Sequence, residues 1–215
     1  MITESILPWL GLIIGGYFLG SIMFCRLICL VFFHTDICKV SKDKNPGAAN
    51  AFWYCGKVAG ISGLFLDLLK GFLPVFIALK YLDYNSFAIV LVILAPVLGH
   101  AFSIFHGFTG GKCIATIYGE LTALFVTMIS PIPLVILGIL NIVFETIVKI
   151  PGNKRAYIMF SILIFSAILI GVYFEQLPIA GGVILISLVS ILKHSPLFAV
   201  EGKKRSHRKK ASLAK

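Results

Sequence analysis

The residues best suited to chemistry lie in one stretch, 98–116, between two apolar runs. This stretch contains His100, Gly110, Gly111 and Lys112. Because glycine has no Cβ, the two glycines can take positive φ and bring their amides close to a ligand. A lysine next to free amides at the start of a helix forms an anion site. The alternative is an ordinary tight turn between two helices, in which Lys112 only marks the cytoplasmic side.

A second polar stretch, residues 34–57, contains the sequence Asn-Pro-Gly-Ala-Ala-Asn from Asn45 to Asn50. Asn-Pro-Gly favours a tight turn. The side chains of Asn45 and Asn50 and the amide of Gly47 are able to hydrogen-bond a phosphate ester and its hydroxyls. A solvated loop is the alternative, and it is sufficient to explain the lysines of this stretch.

The composition places these polar stretches in a membrane protein. Of the 215 residues, 59% are hydrophobic and 13% are charged, and the mean hydropathy is +0.99. A soluble domain needs far more polar surface. Because a helix satisfies its own backbone hydrogen bonds in lipid, the spanning segments should be α-helices. We therefore expect an all-α integral membrane protein.

The apolar runs predict a single bundle of about seven transmembrane helices. Each run approaches or exceeds the roughly 20 residues that a span needs. Pro131 and Pro133 separate the fourth run from the fifth, because proline ends a helix. The predicted spans cover residues 5–33, 58–82, 85–105, 114–130, 131–148, 156–174 and 177–192.

Two patterns inside the predicted spans indicate packing rather than chemistry. Four glycines between Gly11 and Gly20 form two overlapping GxxxG patterns, which favour close contact between helices. Asp67 and Lys70 share a helix face because they are three residues apart. Charged residues within a membrane pair with one another or line a polar interior, so we expect a structural ion pair here.

Basic residues are concentrated on one predicted side of the bundle. Apart from Arg26, Lys70 and Lys80, the 19 Lys and Arg residues lie in the stretches 34–57, 106–113, 149–155 and 193–215. The positive-inside rule then places the N-terminus outside and the C-terminus in the cytoplasm. We expect one transmembrane domain over 1–200 and a basic tail over 201–215 that attracts anionic lipid head groups. No soluble domain accompanies the tail, so nucleic-acid binding is not expected.

Four motifs are similar to those of the bacterial acyl-phosphate:glycerol-3-phosphate acyltransferases, integral membrane enzymes of phospholipid synthesis. The motifs occur in the order found in that family, and the resemblance covers nearly the whole chain. They are Gly20–Phe24 (G-S-I-P-F in the family), Asn45–Asn50 (N-P-G-A-T-N), Asp67–Gly71 (D-x-x-K-G), and Gly99–Phe102 with Phe108–Thr116 (G-H-x-F and F-K-G-G-K-G-V-A-T).

The resemblance implies transfer of a fatty acyl group from an acyl phosphate to the 1-hydroxyl of glycerol 3-phosphate, giving lysophosphatidic acid. The setting that it implies is the bacterial plasma membrane, and no cofactor is implied. An acyl phosphate has a good leaving group, so catalysis consists mostly of positioning two anions and neutralising their charge. No His/Asp cluster has metal-ligand spacing, so no metal is expected.

The resemblance also implies the residues of the site. A histidine can act as general base on the hydroxyl, because imidazole titrates near neutral pH. The implied residues are Gly110, Gly111 and Lys112 for one phosphate, Asn45, Gly47 and Asn50 for the acceptor, Thr116 as a further substrate-binding residue, and His100 and His194 as candidate bases.

The chain departs from the family pattern at several positions. Lys42-Asp43-Lys44 stands where the family has Gly-Ser-Gly, and Lys193-His194 is what remains of a further motif. These changes leave two alternatives to the enzyme. One is a catalytically impaired relative that binds a lipid precursor or acts as an accessory membrane protein. The other is a transporter for an anionic metabolite.

Overall fold

The fold is given by a computed structural model that describes residues 5–127, 138–140, 142–144 and 146–195. The regular secondary structure of these residues is all helical, which confirms the predicted all-α class. The helices are α1 (Ile6–Ser21), α2 (Phe24–Phe33), α3 (Ile37–Val40), α4 (Ala48–Tyr81), α5 (Ala88–Ala101), α6 (Ile114–Thr127), α7 (Gly152–Tyr173) and α8 (Leu177–His194), with a 3-10 turn at Ile104–His106.

Several helices are long and apolar enough to cross a membrane. They are α4, α5 with its following turn (Ala88–His106), α7 and α8, and the bent pair α1–α2 adds a fifth candidate. The chain is thus a multi-pass membrane protein. Half of the predicted fifth span, 131–148, and the basic tail, 201–215, lie outside the described residues.

The first predicted span, 5–33, is wrong as a single helix, because α1 and α2 meet at a bend of 44°. The bend frees carbonyl groups that a continuous helix would have satisfied. Lys70 Nζ donates to the carbonyl of Ile22 at 2.6 Å, and Ser103 Oγ donates to that of Ser21 at 2.6 Å. Side chains from other elements therefore make the break tolerable inside the bundle.

The glycine pattern of the first span predicts close packing, and the structure confirms this for two of its four glycines. A Cβ at Gly20 would collide with the carbonyl of Pro96 in α5, and a Cβ at Gly16 would touch the Pro96 ring at 3.5 Å. A Cβ at Gly11 or Gly15 would have no atom of another element within 4 Å among the described residues. The interface between α1 and α5 thus depends on the second half of the pattern.

The structure of α4 differs from the prediction at its beginning. A loop is predicted as far as residue 57, but the helix begins at Ala48, directly after the Asn-Pro-Gly turn. Gly56, with φ of 88°, interrupts it, so the long apolar part begins at about the predicted residue 58. Within that part, Asp67 and Lys70 form the predicted ion pair, with Nζ and Oδ1 2.8 Å apart.

The polar loops meet at one end of the bundle. The loop before α4 reaches the loop before α6, because Lys112 Nζ lies 3.2 Å from Asp43 Oδ2. The same lysine lies 3.5 Å from Asn153 Oδ1 in the first turn of α7. The end of α8 also arrives here, since Lys193 Nζ donates to the carbonyl of Ala101 at 2.9 Å.

Candidate active site

A cavity of about 560 Å³ lies between α4, α6 and α7 at this end of the bundle. Its polar wall comes from the loops and helix ends, and its apolar wall comes from the interiors of the helices. The polar wall is Asn45, Gly47, His100, Lys112, Gly152 and Arg155, and the apolar wall includes Leu64, Leu68, Ile117, Tyr118, Leu121, Met159, Phe160 and Leu163. One cavity therefore offers a place for an anion and a place for a hydrocarbon chain.

The depth of the cavity follows from the spacing along α7. Its wall contains residues from Gly152, at the start of the helix, to Leu163. At the α-helical rise per residue, this interval is about 16 Å. The cavity is thus much longer than a phosphate or glycerol group requires.

The loop before α4 is organised by a residue that sequence analysis did not assign to the site, Asp43. Asn50 Nδ2 donates to Asp43 Oδ1 at 2.8 Å and to the carbonyl of Asn45 at 2.7 Å. The backbone amide of Asn45 also donates to Asp43 Oδ1, at 3.2 Å. These bonds hold the Asn-Pro-Gly turn so that Asn45 and Gly47 line the cavity.

Lys112, in the loop before α6, brings a positive charge to this loop. Its ammonium contacts Asp43 Oδ2 at 3.2 Å. Burial opposes ionisation of the Asp43 carboxyl, but hydrogen bonds from Asn50 and the Asn45 amide and the charge of Lys112 outweigh it, and its pKa lies below the usual value. The two groups are therefore an ion pair at neutral pH.

Gly110 and Gly111 pack against the end of α5. A Cβ at Gly110 would collide with the carbonyl oxygen of His100, and a Cβ at Gly111 would collide with its Nε2. The Gly111 amide donates to the same carbonyl at 2.9 Å, so it is not a free donor. In this loop positive φ occurs at Gly107, Phe108 and Cys113, and the paired glycines do not use their freedom to adopt it. Their small size allows this loop to approach His100.

His100 presents an unpaired ring nitrogen beside the cavity. The residue is 4% exposed, and its Nδ1 has no hydrogen-bond partner among the residues that the structure describes. A buried polar nitrogen usually has a partner. This one is therefore available to a hydroxyl group of a bound ligand.

α8 supports the lysine loop from outside the cavity. Ser190 Oγ donates to the carbonyl of Lys112 at 3.0 Å. Three residues further on, the Lys193 ammonium lies at the C-terminal end of α5, where a positive charge is stabilised by the helix dipole. These contacts fix the backbone on both sides of the paired glycines.

The structure does not bring every implied residue to the cavity wall. His194 Nδ1 lies 2.8 Å from the carbonyl of Ser190, and its ring packs against Phe160 with centroids 6.4 Å apart. Thr116 is fully buried at the contact of α6 with Gly71 of α4. The implied residues absent from the cavity wall are Asn50, Gly110, Gly111, Thr116 and His194.

Two charged residues that line the cavity were missed as site residues. Sequence analysis assigned Arg155 only to a basic loop, but the structure places it in the first turn of α7, on the polar wall. Asp67, assigned to a structural ion pair, also lies on the cavity wall. Neither placement has a local sequence signal, because it depends on how α4 and α7 are arranged around the cavity.

Comparison with known proteins connects this geometry to a family. The sequence model of the glycerol-3-phosphate acyltransferase family matches residues 10–199. Proteins of that name from Maridesulfovibrio salexigens and Proteus mirabilis are both 41% identical to this chain, over 116 and 115 residues. These alignments cover 54% of this chain in both cases, and 58% and 52% of the relatives. The chain thus spans about half the length of the curated relatives that it matches.

Solved structures match over a larger part of the chain. A crystal structure of PlsY, an integral membrane glycerol 3-phosphate acyltransferase, in its lysophosphatidic acid form is similar with a TM-score of 0.74 and 28% identity, over 92% of this chain and 93% of that one. The glycerol 3-phosphate form gives 0.74 and 29%, over 94% and 92%. From the extent of the family match and of this shared fold, we conclude that the chain belongs to the glycerol-3-phosphate acyltransferase family.

Proposed function

We propose that the chain transfers a fatty acyl group from an acyl phosphate to the 1-hydroxyl of glycerol 3-phosphate, which gives lysophosphatidic acid and inorganic phosphate. The observation that carries this proposal is the cavity itself, which joins a cationic wall to an apolar wall and extends about 16 Å along α7. Each buried methylene of an acyl chain contributes about 0.8 kcal/mol. The apolar wall therefore anchors the donor, and the polar wall holds the reacting groups.

Lys112 and Arg155 are the cations proposed for the two phosphate groups. Both line the polar wall. Arg155 supplies positive charge to a site whose motifs depart from the family pattern. Asn45, Gly47 and Asn50 are proposed to hold the glycerol 3-phosphate through amide hydrogen bonds. Much of the catalytic effect is then the positioning of two anions in one water-poor cavity.

His100 is the proposed general base. Its unpaired Nδ1 accepts the proton of the 1-hydroxyl as the hydroxyl oxygen bonds to the acyl carbon. The bond between the acyl carbon and the bridging phosphate oxygen then breaks, and phosphate leaves against Lys112. His194 contacts Phe160 and Ser190, so we propose that it positions the cavity wall. Gly110 and Gly111 position His100, and Thr116 supports the start of α6.

The proposed topology has seven spans, with the N-terminus outside and the C-terminus in the cytoplasm of a bacterial cell. The convergence of the basic loops at the cavity end supports this orientation. The substrates then enter from the cytoplasmic face of the plasma membrane. The tail, 201–215, is proposed to bind anionic lipid head groups at the same face.

The test is an acyl-transfer assay on the full chain purified in detergent micelles. Palmitoyl phosphate and glycerol 3-phosphate are supplied, and lysophosphatidic acid and released phosphate are measured. Lys112→Ala removes a charged hydrogen bond to phosphate, of about 1.5–3 kcal/mol. We expect kcat/KM to fall by about 10- to 100-fold.

Lys80→Ala is the matched control, because it removes a lysine at the far end of α4. Its activity should equal that of the wild type. The proposed acyltransferase activity would be refuted if folded wild-type protein showed no turnover with palmitoyl phosphate, with acyl-acyl carrier protein or with acyl-coenzyme A. That result would favour a relative that binds a lipid precursor. Flux of glycerol 3-phosphate into liposomes that depends on Lys112 would instead favour a transporter.

A further inference from the structure

The Asp43 carboxylate occupies the donors of the proposed phosphate site. Its Oδ1 accepts from Asn50 Nδ2 at 2.8 Å and from the amide of Asn45 at 3.2 Å. Its Oδ2 accepts from Lys112 Nζ at 3.2 Å. Two side-chain donors and one backbone donor thus converge on a single internal anion.

A carboxylate and a phosphate require the same partners, namely N–H donors and a positive charge. The ammonium of Lys112 has three donors, but a second anion beside Asp43 meets the negative charge of that carboxylate. A ligand phosphate that binds Lys112 and Asn50 therefore competes with Asp43 for both.

We propose that Asp43 determines the affinity of this site for phosphate ligands, by binding Lys112 and Asn50 until the ligand displaces it. This inference rests on the proposed function in taking Lys112 and Asn50 as donors to phosphate. It goes beyond that function in assigning a role to a residue that the acyl-transfer chemistry does not need.

Exposure makes the displacement feasible. The Asp43 side chain is 45% exposed and that of Lys112 is 28% exposed. A carboxylate that leaves the lysine thus enters water, and no charge is stranded in the protein interior. The Asp67–Lys70 pair has the opposite character, because its side chains are only 2% and 0% exposed.

The ligands that Asp43 disfavours are defined by charge. Repulsion from its carboxylate opposes a phosphate monoester or inorganic phosphate, but it does not oppose a neutral polyol such as glycerol. Removal of the carboxylate charge should therefore improve the binding of phosphate ligands and leave the binding of glycerol unchanged.

The test measures binding of inorganic phosphate and of glycerol 3-phosphate to the full chain in micelles by calorimetry. Asp43→Asn keeps an acceptor for the Asn45 amide but removes the charge. An exposed ion pair contributes up to about 1 kcal/mol, so Kd for both ligands should fall by up to about fivefold. Asp43→Ala also removes the acceptor that holds the Asn45 amide in the turn, so its Kd should fall no further than that of Asp43→Asn.

Asp83→Asn is the matched control. Asp83 accepts a hydrogen bond from the amide two residues ahead, at 3.0 Å, as Asp43 does, but it lies in the turn between α4 and α5 at the other end of the bundle. Its substitution removes the same charge from the same kind of turn. Kd for phosphate should then equal the wild-type value, which separates the local contact from the effect of net charge.

Unchanged or weaker binding in both Asp43 variants, with melting temperatures like that of the wild type, would overturn the inference. The absence of phosphate binding in the wild type and in both variants would overturn it as well. Acyl transfer is measured on the same samples. Tighter phosphate binding without acyl transfer supports the role of Asp43 while the proposed function fails. Acyl transfer with an unchanged Kd for phosphate in both Asp43 variants supports the proposed function while the role of Asp43 fails.

Discussion

Replacement of Lys70 by methionine should destabilise the protein more than any other conservative change near the cavity. The side chains of Lys70 and Asp67 are 0% and 2% exposed, and Nζ lies 2.8 Å from Oδ1. The same ammonium donates to the carbonyl of Ile22 at the break between α1 and α2. Methionine has a similar length but carries no charge and no donor, so both contacts are lost.

The magnitude follows from what the substitution leaves behind. Removing one partner of a buried ion pair costs about 3–5 kcal/mol, because the other charge stays buried without compensation. The remaining partner of Asp67 in the described structure is Cys25, whose Sγ lies 3.2 Å from Oδ2. A thiol is a weak donor and cannot replace an ammonium.

The double variant Lys70→Met/Asp67→Asn separates the two contributions. It removes both charges, so the cost that remains is mainly the unsatisfied carbonyl of Ile22, about 1–3 kcal/mol. The double variant should therefore be more stable than Lys70→Met alone by about 2 kcal/mol. The coupling energy between the two residues is the effect of the double variant minus the effects of both single variants, and additive single effects would give zero.

The assay is unfolding in detergent micelles, followed by the loss of helical circular dichroism at pH 7. The free energies of the wild type, both single variants and the double variant complete the cycle. A Lys70→Met protein within 1 kcal/mol of the wild type would refute the argument. A double variant no more stable than Lys70→Met would also refute it, since the carboxylate would then carry no penalty.

Three further predictions concern the site and its support. Gly111→Ala places a Cβ against Nε2 of His100, and kcat should fall about tenfold or more because overpacking of about 1–3 kcal/mol displaces the ring. Arg155→Ala should raise KM about tenfold with a smaller effect on kcat, since it removes a charged contact to bound phosphate. Asp36→Asn should lower the unfolding free energy by about 2 kcal/mol at pH 7, because it breaks a two-bond pair with Arg26.

The predictions for Gly111 and Arg155 each have a control. Gly11→Ala adds a Cβ with no neighbour within 4 Å in the described residues, so it should leave kcat unchanged and should not lower stability. Arg155→Lys should recover part of the lost affinity, because lysine keeps the charge but not the bidentate geometry. Normal kinetics in Gly111→Ala would show that the His100 ring is not held by this loop. An unchanged KM in Arg155→Ala would remove that arginine from the site.

The Asp36 prediction has a pH dependence of defined sign. Hydrogen bonds from Arg26 lower the pKa of the Asp36 carboxyl below its usual value. A carboxyl whose pKa is lowered by folding stabilises the protein above its unfolded pKa, about 3.9, and this stability is lost as pH falls through the folded pKa. The difference between wild type and Asp36→Asn should therefore be constant above about pH 5 and shrink below about pH 4. A difference that grows on acidification would contradict the ion pair.

The apolar runs predicted the helical class and most helix positions, because burial in lipid depends on local composition. Two features could not be predicted in this way. The break after Ser21 is stabilised by Lys70 and Ser103, which are 48 residues from Ile22 and 82 residues from Ser21 in the chain. The helix that begins at Ala48 follows a turn sequence that is equally compatible with a longer loop.

The site was predictable where its residues lie in motifs and not where it depends on packing. Asn45, Gly47, His100 and Lys112 were identified from sequence and line one cavity. Arg155 was not, since its place on the cavity wall results from the packing of α7 against α8, which sets α7 across the cavity from α4 and α6.

The two aspartate–lysine pairs near the cavity differ in whether their charges can separate. Asp67 and Lys70 cannot separate without leaving a buried charge, so their pair is fixed and Lys70 is unavailable to a ligand. Asp43 and Lys112 can separate into water, so their pair exchanges partners at little cost. A phosphate ligand can therefore recruit Lys112 but not Lys70, although both ammonium groups lie close to the same cavity. Exposure of the pair, rather than the residue types or their spacing, decides which lysine can serve the substrate.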